Sequence, residues 1–267
     1  LKNKALIIFI ILFSPPMTPE IWLTTLHIKA YFGLFSFILL FQNFENLDNS
    51  KKKFYRLAIV FSGLSSIYAS VLAPIYFLRF LLEKNKEALI SFFYSLLPLL
   101  INIFLFIKYS LVKANENRFS FDVGKIESFA YNILTRPFFG SSIPKYIFNK
   151  MNTGNTQLIF ISLFIIVVFT FFILFKTYQK KDKIILLILS SFLLQSAFVY
   201  VGSLYDTFVG GRYAVIPGII LLTFFVRLYQ IEKNYFLKYM FGFLILTSLT
   251  VGLIEFKYFS PLQHILE

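Results

Sequence analysis

Gly210-Gly211-Arg212-Tyr213 brings backbone freedom, a permanent cation and an aromatic ring together, with Asp206 four residues upstream. The stretch connects two strongly apolar runs. A guanidinium is always charged and grips phosphate through paired N–H donors, and two glycines let the backbone come close to a ligand. This chemistry is that of a phosphate or lipid-headgroup clamp. An interfacial arginine held by lipid phosphate or by a helix-end carbonyl is an equally simple use of Arg212. Asp206 could pair with Arg212 or act as a base, and for a lone carboxylate the salt bridge is the simpler role. Tyr200, Tyr205 and Tyr213 read as aromatic-belt residues.

Other groups that could line a polar cavity are Glu20, His27, Ser62, Ser66 and Arg136. Glu20 follows Pro19 and also fits the negative charge expected at a helix N-terminus. On a continuous helix Ser62, Ser66 and Ser70 would share a face, which close helix packing explains as well as a site does. Zero cysteines exclude a disulfide framework, a thiolate metal site and a cysteine nucleophile, and two histidines argue against a histidine-rich metal site. No soluble-enzyme motif is present, neither a P-loop nor G-x-G-x-x-G, H-E-x-x-H or G-x-S-x-G. No metal and no cofactor are expected.

The elements that must position these groups are read from composition. Of 267 residues, 58% are hydrophobic and only 15% charged, with a mean hydropathy of +0.74. Several runs reach the ~17–25 apolar residues that cross a bilayer. The net charge of +13 does not call for nucleic acid, because the lysines gather in short loops, as they do on the cytoplasmic side of membrane proteins. The abundance of Phe, Ile, Lys and Asn also matches an AT-rich genome. The expected fold is all-α: a polytopic transmembrane helix bundle of about seven to eight spans in one integral membrane domain over 1–267.

Charge places loops 43–56, 79–87, 176–183 and 227–238 inside, and 14–29, 108–156 and 201–213 outside. The spans are then 5–13, 29–42, 88–107, 157–175, 184–200, 214–229 and 239–256. Residues 57–78 break the parity, since a single span there would put loops 43–56 and 79–87 on opposite sides. Gly63 and its neighbouring serines allow a broken or re-entrant helix pair; an ordinary span with one misplaced loop is the alternative. Ile126, Phe129, Ala130, Ile133 and Leu134 follow a helical period and predict an amphipathic surface helix over about 125–136, ended by Arg136-Pro137. The chain begins at Leu1, and its short first run reads as the continuation of a longer protein lacking its upstream residues here.

Three stretches together resemble bacterial multi-pass membrane proteins of the GT-C glycosyltransferase type. They are Pro19-Glu20 with Trp22 before a span, Ser62-Gly63-Leu64-Ser65-Ser66 running into Leu72-Ala73-Pro74-Ile75-Tyr76-Phe77-Leu78, and Gly210-Gly211-Arg212-Tyr213 leading to Pro217. The resemblance implies a bacterial inner-membrane enzyme that takes sugar from a polyprenyl-phosphate carrier at the outer face. It implies Arg212 as the contact to the carrier phosphate. The catalytic acidic residue of such enzymes lies in the first outer loop, which this sequence does not include, so no catalytic residue is assigned. The same groove and arginine would serve a lipid-linked saccharide transporter or flippase. A non-catalytic membrane assembly subunit would need neither. Membrane lipid is an expected partner in every case.

Overall fold

The computed structural model describes residues 28–110, 133–140, 181–202 and 215–258, with scattered helical positions between 161 and 179. Among the described residues there are helices and no strands. They are α1 (Ile28–Leu39), α2 (Asn49–Ser65), α3 (Ile67–Ser70), α4 (Ala73–Glu83), α5 (Lys86–Ser110), α6 (Arg136–Phe139), α7 (Lys183–Gly202), α8 (Val215–Ile231) and α9 (Tyr235–Tyr258). Three stretches are long and apolar enough to cross a membrane: Lys86–Lys108, Lys183–Tyr200 and Tyr235–Ile254. The expected spans at 29–42 and 214–229 correspond to shorter apolar helices of 12 and 17 residues. The described part therefore holds fewer full-length spans than the sequence predicts, and the expected span 5–13 lies outside it.

The helix that organises the bundle is α8. From Val215 to Val226 every residue is buried, as expected of a helix that is apolar on all sides. It packs against α1, α6, α7 and α9. The outer helices turn bulky apolar side chains away from the protein. Phe104 of α5 is 64% exposed, and Phe243 and Leu246 of α9 are 65% and 61% exposed. A contiguous apolar exterior of this kind is what lipid covers.

One end of the bundle is stitched together by charge. Lys52 and Arg56 of α2 both pair with Glu87 at the start of α5. Arg79 of α4 donates to the carbonyls of Leu40 and Gln42, just past α1, at 2.7 and 2.9 Å. Lys183 donates to Leu82 O at 2.8 Å. Arg227 of α8 pairs with Asp182 at 2.6 Å, and Lys176 with Glu232 at 3.3 Å. Loops 43–56, 79–87, 176–183 and 227–238, which charge counting puts on one side, thus share one end of the molecule.

Four helices start at this charged end, each capped by a short polar side chain that accepts otherwise orphaned backbone N–H groups. Asp48 accepts from Lys51, Asn85 from Ala88, Asp182 from Ile184 and Ile185, and Asn234 from Leu237.

The parity conflict is resolved by geometry. α2 leaves the charged end, and α4 returns to it. The return is fixed by Tyr76, whose hydroxyl donates to Ser36 O at 2.8 Å, and by Arg79 at Leu40. Segment 49–83 is therefore a broken helix pair with both ends on the same side. Its depth can be read along the helices that join the ion-paired level to the break: ten residues of α2 from Arg56 to Ser66, and twelve of α7 from Lys183 at Leu82 to Gln195 at Tyr68. These rise about 15–18 Å, so the break lies about midway through a ~30 Å hydrocarbon layer.

The segment around Arg136-Pro137 departs from expectation. These residues open a helical turn, α6, preceded by a π-turn over 133–135, and do not close a helix. Ile133, Leu134 and Phe138 are buried, and α6 packs on α8 and α9, with the Phe138 and Phe225 rings 5.4 Å apart. The apolar side that periodicity reveals at Ile133 and Leu134 is covered by protein and not by a membrane surface. Residues 125–132 lie outside the described part.

Candidate functional site: a helix break sealed by three neighbours

At the far end from the ion pairs the hairpin turns. Ser66 is extended (φ −144°, ψ 121°) between α2 and α3. A break within a membrane leaves carbonyls without their i+4 donors. Such backbone survives only where protein or a water-filled cavity satisfies it.

Two of the vacated carbonyls are taken by side chains of other helices. Gly63 O would ordinarily accept from Ile67 N. It accepts instead from Asn102 Nδ2 of α5 at 2.9 Å. Tyr68 O would accept from Leu72 N, but Leu72 N turns to Ala69 O at 3.2 Å. Gln195 Nε2 of α7 takes the vacated carbonyl at 2.6 Å. Ser66 donates its hydroxyl to Lys29 O in the first turn of α1, and its own carbonyl accepts from Ala69 N and Ser70 N. Tyr68 also stacks edge-on against Phe198 of α7, at 5.7 Å.

Gly63 is required by the closeness of α2 and α5. A Cβ added there would lie 2.5 Å from Pro98 Cγ and 2.7 Å from Pro98 Cβ. The proline sits inside α5, so two helix-weakening residues face each other where the hairpin nears its tip.

Ser62 and Ser66 are both 1% exposed and belong to this sealed contact. They face protein. Gln195 is fully buried and Ser196 nearly so, and Gln195 Oε1 and Ser196 Oγ have no hydrogen-bond partner. Arg136 is half-buried beside Pro137, some distance along the chain from the break. Gly210, Gly211, Arg212, Tyr213, Asp206, Glu20 and His27 lie outside the described residues. The described residues that flank them belong to this end of the bundle: Ile28 opens α1 beside Ser66, α7 runs past Tyr68 toward Gly202, and Ile216 in the first turn of α8 packs at Gly33 and Tyr68.

The residues that seal the break, Asn102 and Gln195, were not singled out from the sequence. Their signal is present there, as a lone carboxamide in each of two apolar runs, Leu99-Leu100-Ile101-Asn102-Ile103-Phe104 and Phe192-Leu193-Leu194-Gln195-Ser196-Ala197. Polar side chains in such runs characteristically bond to neighbouring helices. Among the described residues no group of three or more His, Cys, Asp or Glu side chains could hold a metal ion.

The chain matches no protein family, no characterised protein and no solved structure.

Proposed function

We propose that this chain is a multi-pass protein of a bacterial inner membrane that holds a polyprenyl-phosphate-linked sugar at the end of the bundle bearing the helix break, in the manner of a GT-C-type glycosyltransferase. The observation that carries the proposal is the gathering of the four lysine-bearing loops at one end. Cationic loops stay on the cytoplasmic side, so on this reading the break, the start of α1 and the start of α8 would look from mid-depth toward the outer face. Arg212 precedes α8 and Asp206 follows α7 in sequence, so on this reading the clamp loop would open toward that face. The carrier's phosphate would meet the guanidinium there and its tail the apolar exterior.

The test is a surface-glycan assay on cells carrying Arg212→Ala or Asp206→Asn, with protein level measured in parallel. The proposal expects glycan to fall in Arg212→Ala cells at unchanged protein level. Normal glycan in both variants overturns it.

A second reading, a carrier-linked saccharide transporter, is favoured by one observation, the interrupted pair 49–83. Interrupted helices near a membrane midplane are the usual substrate sites of transporters. Reconstituted protein separates the two. Movement of a lipid-linked saccharide across the vesicle without sugar transfer supports transport, and transfer to an acceptor supports the enzyme.

A further inference from the structure

At the charged end, the corner where α8 turns into α9 has an unusual surface. Its acid is spent internally: Glu232 is buried, with Oε2 on Lys176 Nζ at 3.3 Å and Oε1 accepting from the backbone N–H groups of Lys233 and Asn234. The two cations of the same corner, Lys233 and Lys238, pair with no acid among the described residues. Lys238 Nζ lies 5.4 Å from the centre of the Tyr229 ring, within the range of a cation–π contact. The ring in turn lies against Gly242, where an added Cβ would come 3.2 Å from Tyr229 Cε2. The absence of a side chain at 242 lets the ring pack closely on α9, beside the Lys238 ammonium.

Around this platform the surface is aromatic and open. Tyr235 and Tyr239 are 75% and 74% exposed, and the apolar flank of α9 continues below them through Phe243 and Leu246. Phenol and ammonium groups stand at the level where a helix meets headgroups, directly above an apolar flank suited to acyl chains.

We infer that the α8–α9 corner is a binding site for an anionic diacyl phospholipid, its phosphate held by Lys238 and Lys233 and its chains lying along α9. The occupant is a lipid and not a free phosphate because the cations sit at the head of a continuous apolar face. A soluble anion would leave that face unused. Charge complementarity selects an anionic headgroup over a zwitterionic one, since among the described residues no further carboxylate stands in the corner to receive a choline or ethanolamine group. The inference requires only that the protein is membrane-embedded, and stands apart from the glycosyltransferase reading.

The experiment is native mass spectrometry of the purified full chain, released from mild detergent after incubation with phosphatidylglycerol or phosphatidylcholine. Wild type should retain phosphatidylglycerol preferentially. Lys233→Gln/Lys238→Gln should bind it about 30-fold more weakly, at about fivefold per surface lysine, while Lys238→Arg should retain it. Lys53→Gln/Lys84→Gln removes the same charge elsewhere on this end and should change binding by less than threefold. Equal loss in the two double variants would show diffuse charge attraction and overturn the site. Equal retention of the two lipids by wild type, or displacement of the lipid by millimolar inorganic phosphate, would overturn it as well. The Lys53/Lys84 variant and Lys238→Arg report on folding independently, because each keeps the corner's platform.

Discussion

Arg79→Met tests how much of the hairpin's stability rests on one buried cation. Arg79 is 5% exposed. Its Nη1 and Nη2 donate to Leu40 O and Gln42 O, its Nε donates to Glu83 at 2.9 Å, and its guanidinium lies 6.0 Å from the centre of the Phe44 ring. Leu40 and Gln42 follow the last turn of α1, where carbonyls lack helical partners. Methionine keeps the length and apolar stem but none of the donors. Leu40 is fully buried, so loss of a charged donor there costs about 1.5–3 kcal/mol. Gln42 is partly open to water and adds less, about 0.5–1 kcal/mol. The bond to Glu83, whose side chain is 30% exposed, adds little. The expected loss is about 2–4 kcal/mol. Equilibrium unfolding in mixed micelles measures it as a shift in midpoint at constant slope. Arg79→Lys should fall between the two, since one ammonium cannot reach both carbonyls in the fork geometry of a guanidinium. A loss below about 0.5 kcal/mol for Arg79→Met would refute the view that α4 is anchored to α1 by this residue.

Two other perturbations follow from named contacts. Gly63→Val should destabilise by about 1–3 kcal/mol through overpacking against Pro98, and adding Pro98→Ala should recover part of the loss in a double-mutant cycle; no recovery would separate the two residues. The Asp48 carboxylate is held below the usual aspartate range, chiefly by the backbone N–H of Lys51 and by the Lys51 side chain. A depressed folded pKa means that its contribution is present above the unfolded aspartate value of about 3.9 and is lost as pH falls below it through the folded value. Hydrogen-exchange protection in the first turn of α2, taken relative to the intrinsic rate at each pH, should therefore fall only below about pH 4, and Asp48→Asn should remove that dependence; a fall in protection between pH 5 and 7 would contradict it.

How much of this was legible in the sequence depends on the kind of information each feature carries. Lysine placement is written residue by residue, so the clustering of four loops at one end could be read from charge alone. The broken pair at 57–78 followed from parity together with Gly63 and its serines, and Ser66 is where the helix breaks. What holds the break was not legible. Asn102 lies 39 residues from Gly63, and Gln195 lies 127 residues from Tyr68; which carbonyl a break orphans is known only once the backbone path is known. Arg79 counted in the sequence as one more inside charge, whereas its fork closes the end of α1. Periodicity likewise shows that Ile133 and Leu134 share an apolar side but is silent on what covers it. Protein covers it here, and lipid would produce the same pattern. The clamp candidates Arg212, Gly210, Gly211, Tyr213 and Asp206 are known by residue type and by the helices that flank them.

The central claim is that residues 49–83 leave and re-enter the same end of the bundle. The chain has no cysteine, so single cysteines placed at the exposed positions Ser50, Lys84, Lys181 and Lys233 can be labelled with a membrane-impermeant maleimide, in intact cells and in inverted vesicles. All four should label from the cytoplasmic side and from no other, with a cysteine at Ser65 near the hairpin tip protected from that side. Labelling of Ser50 and Lys84 from opposite sides would contradict the hairpin and the orientation built on it.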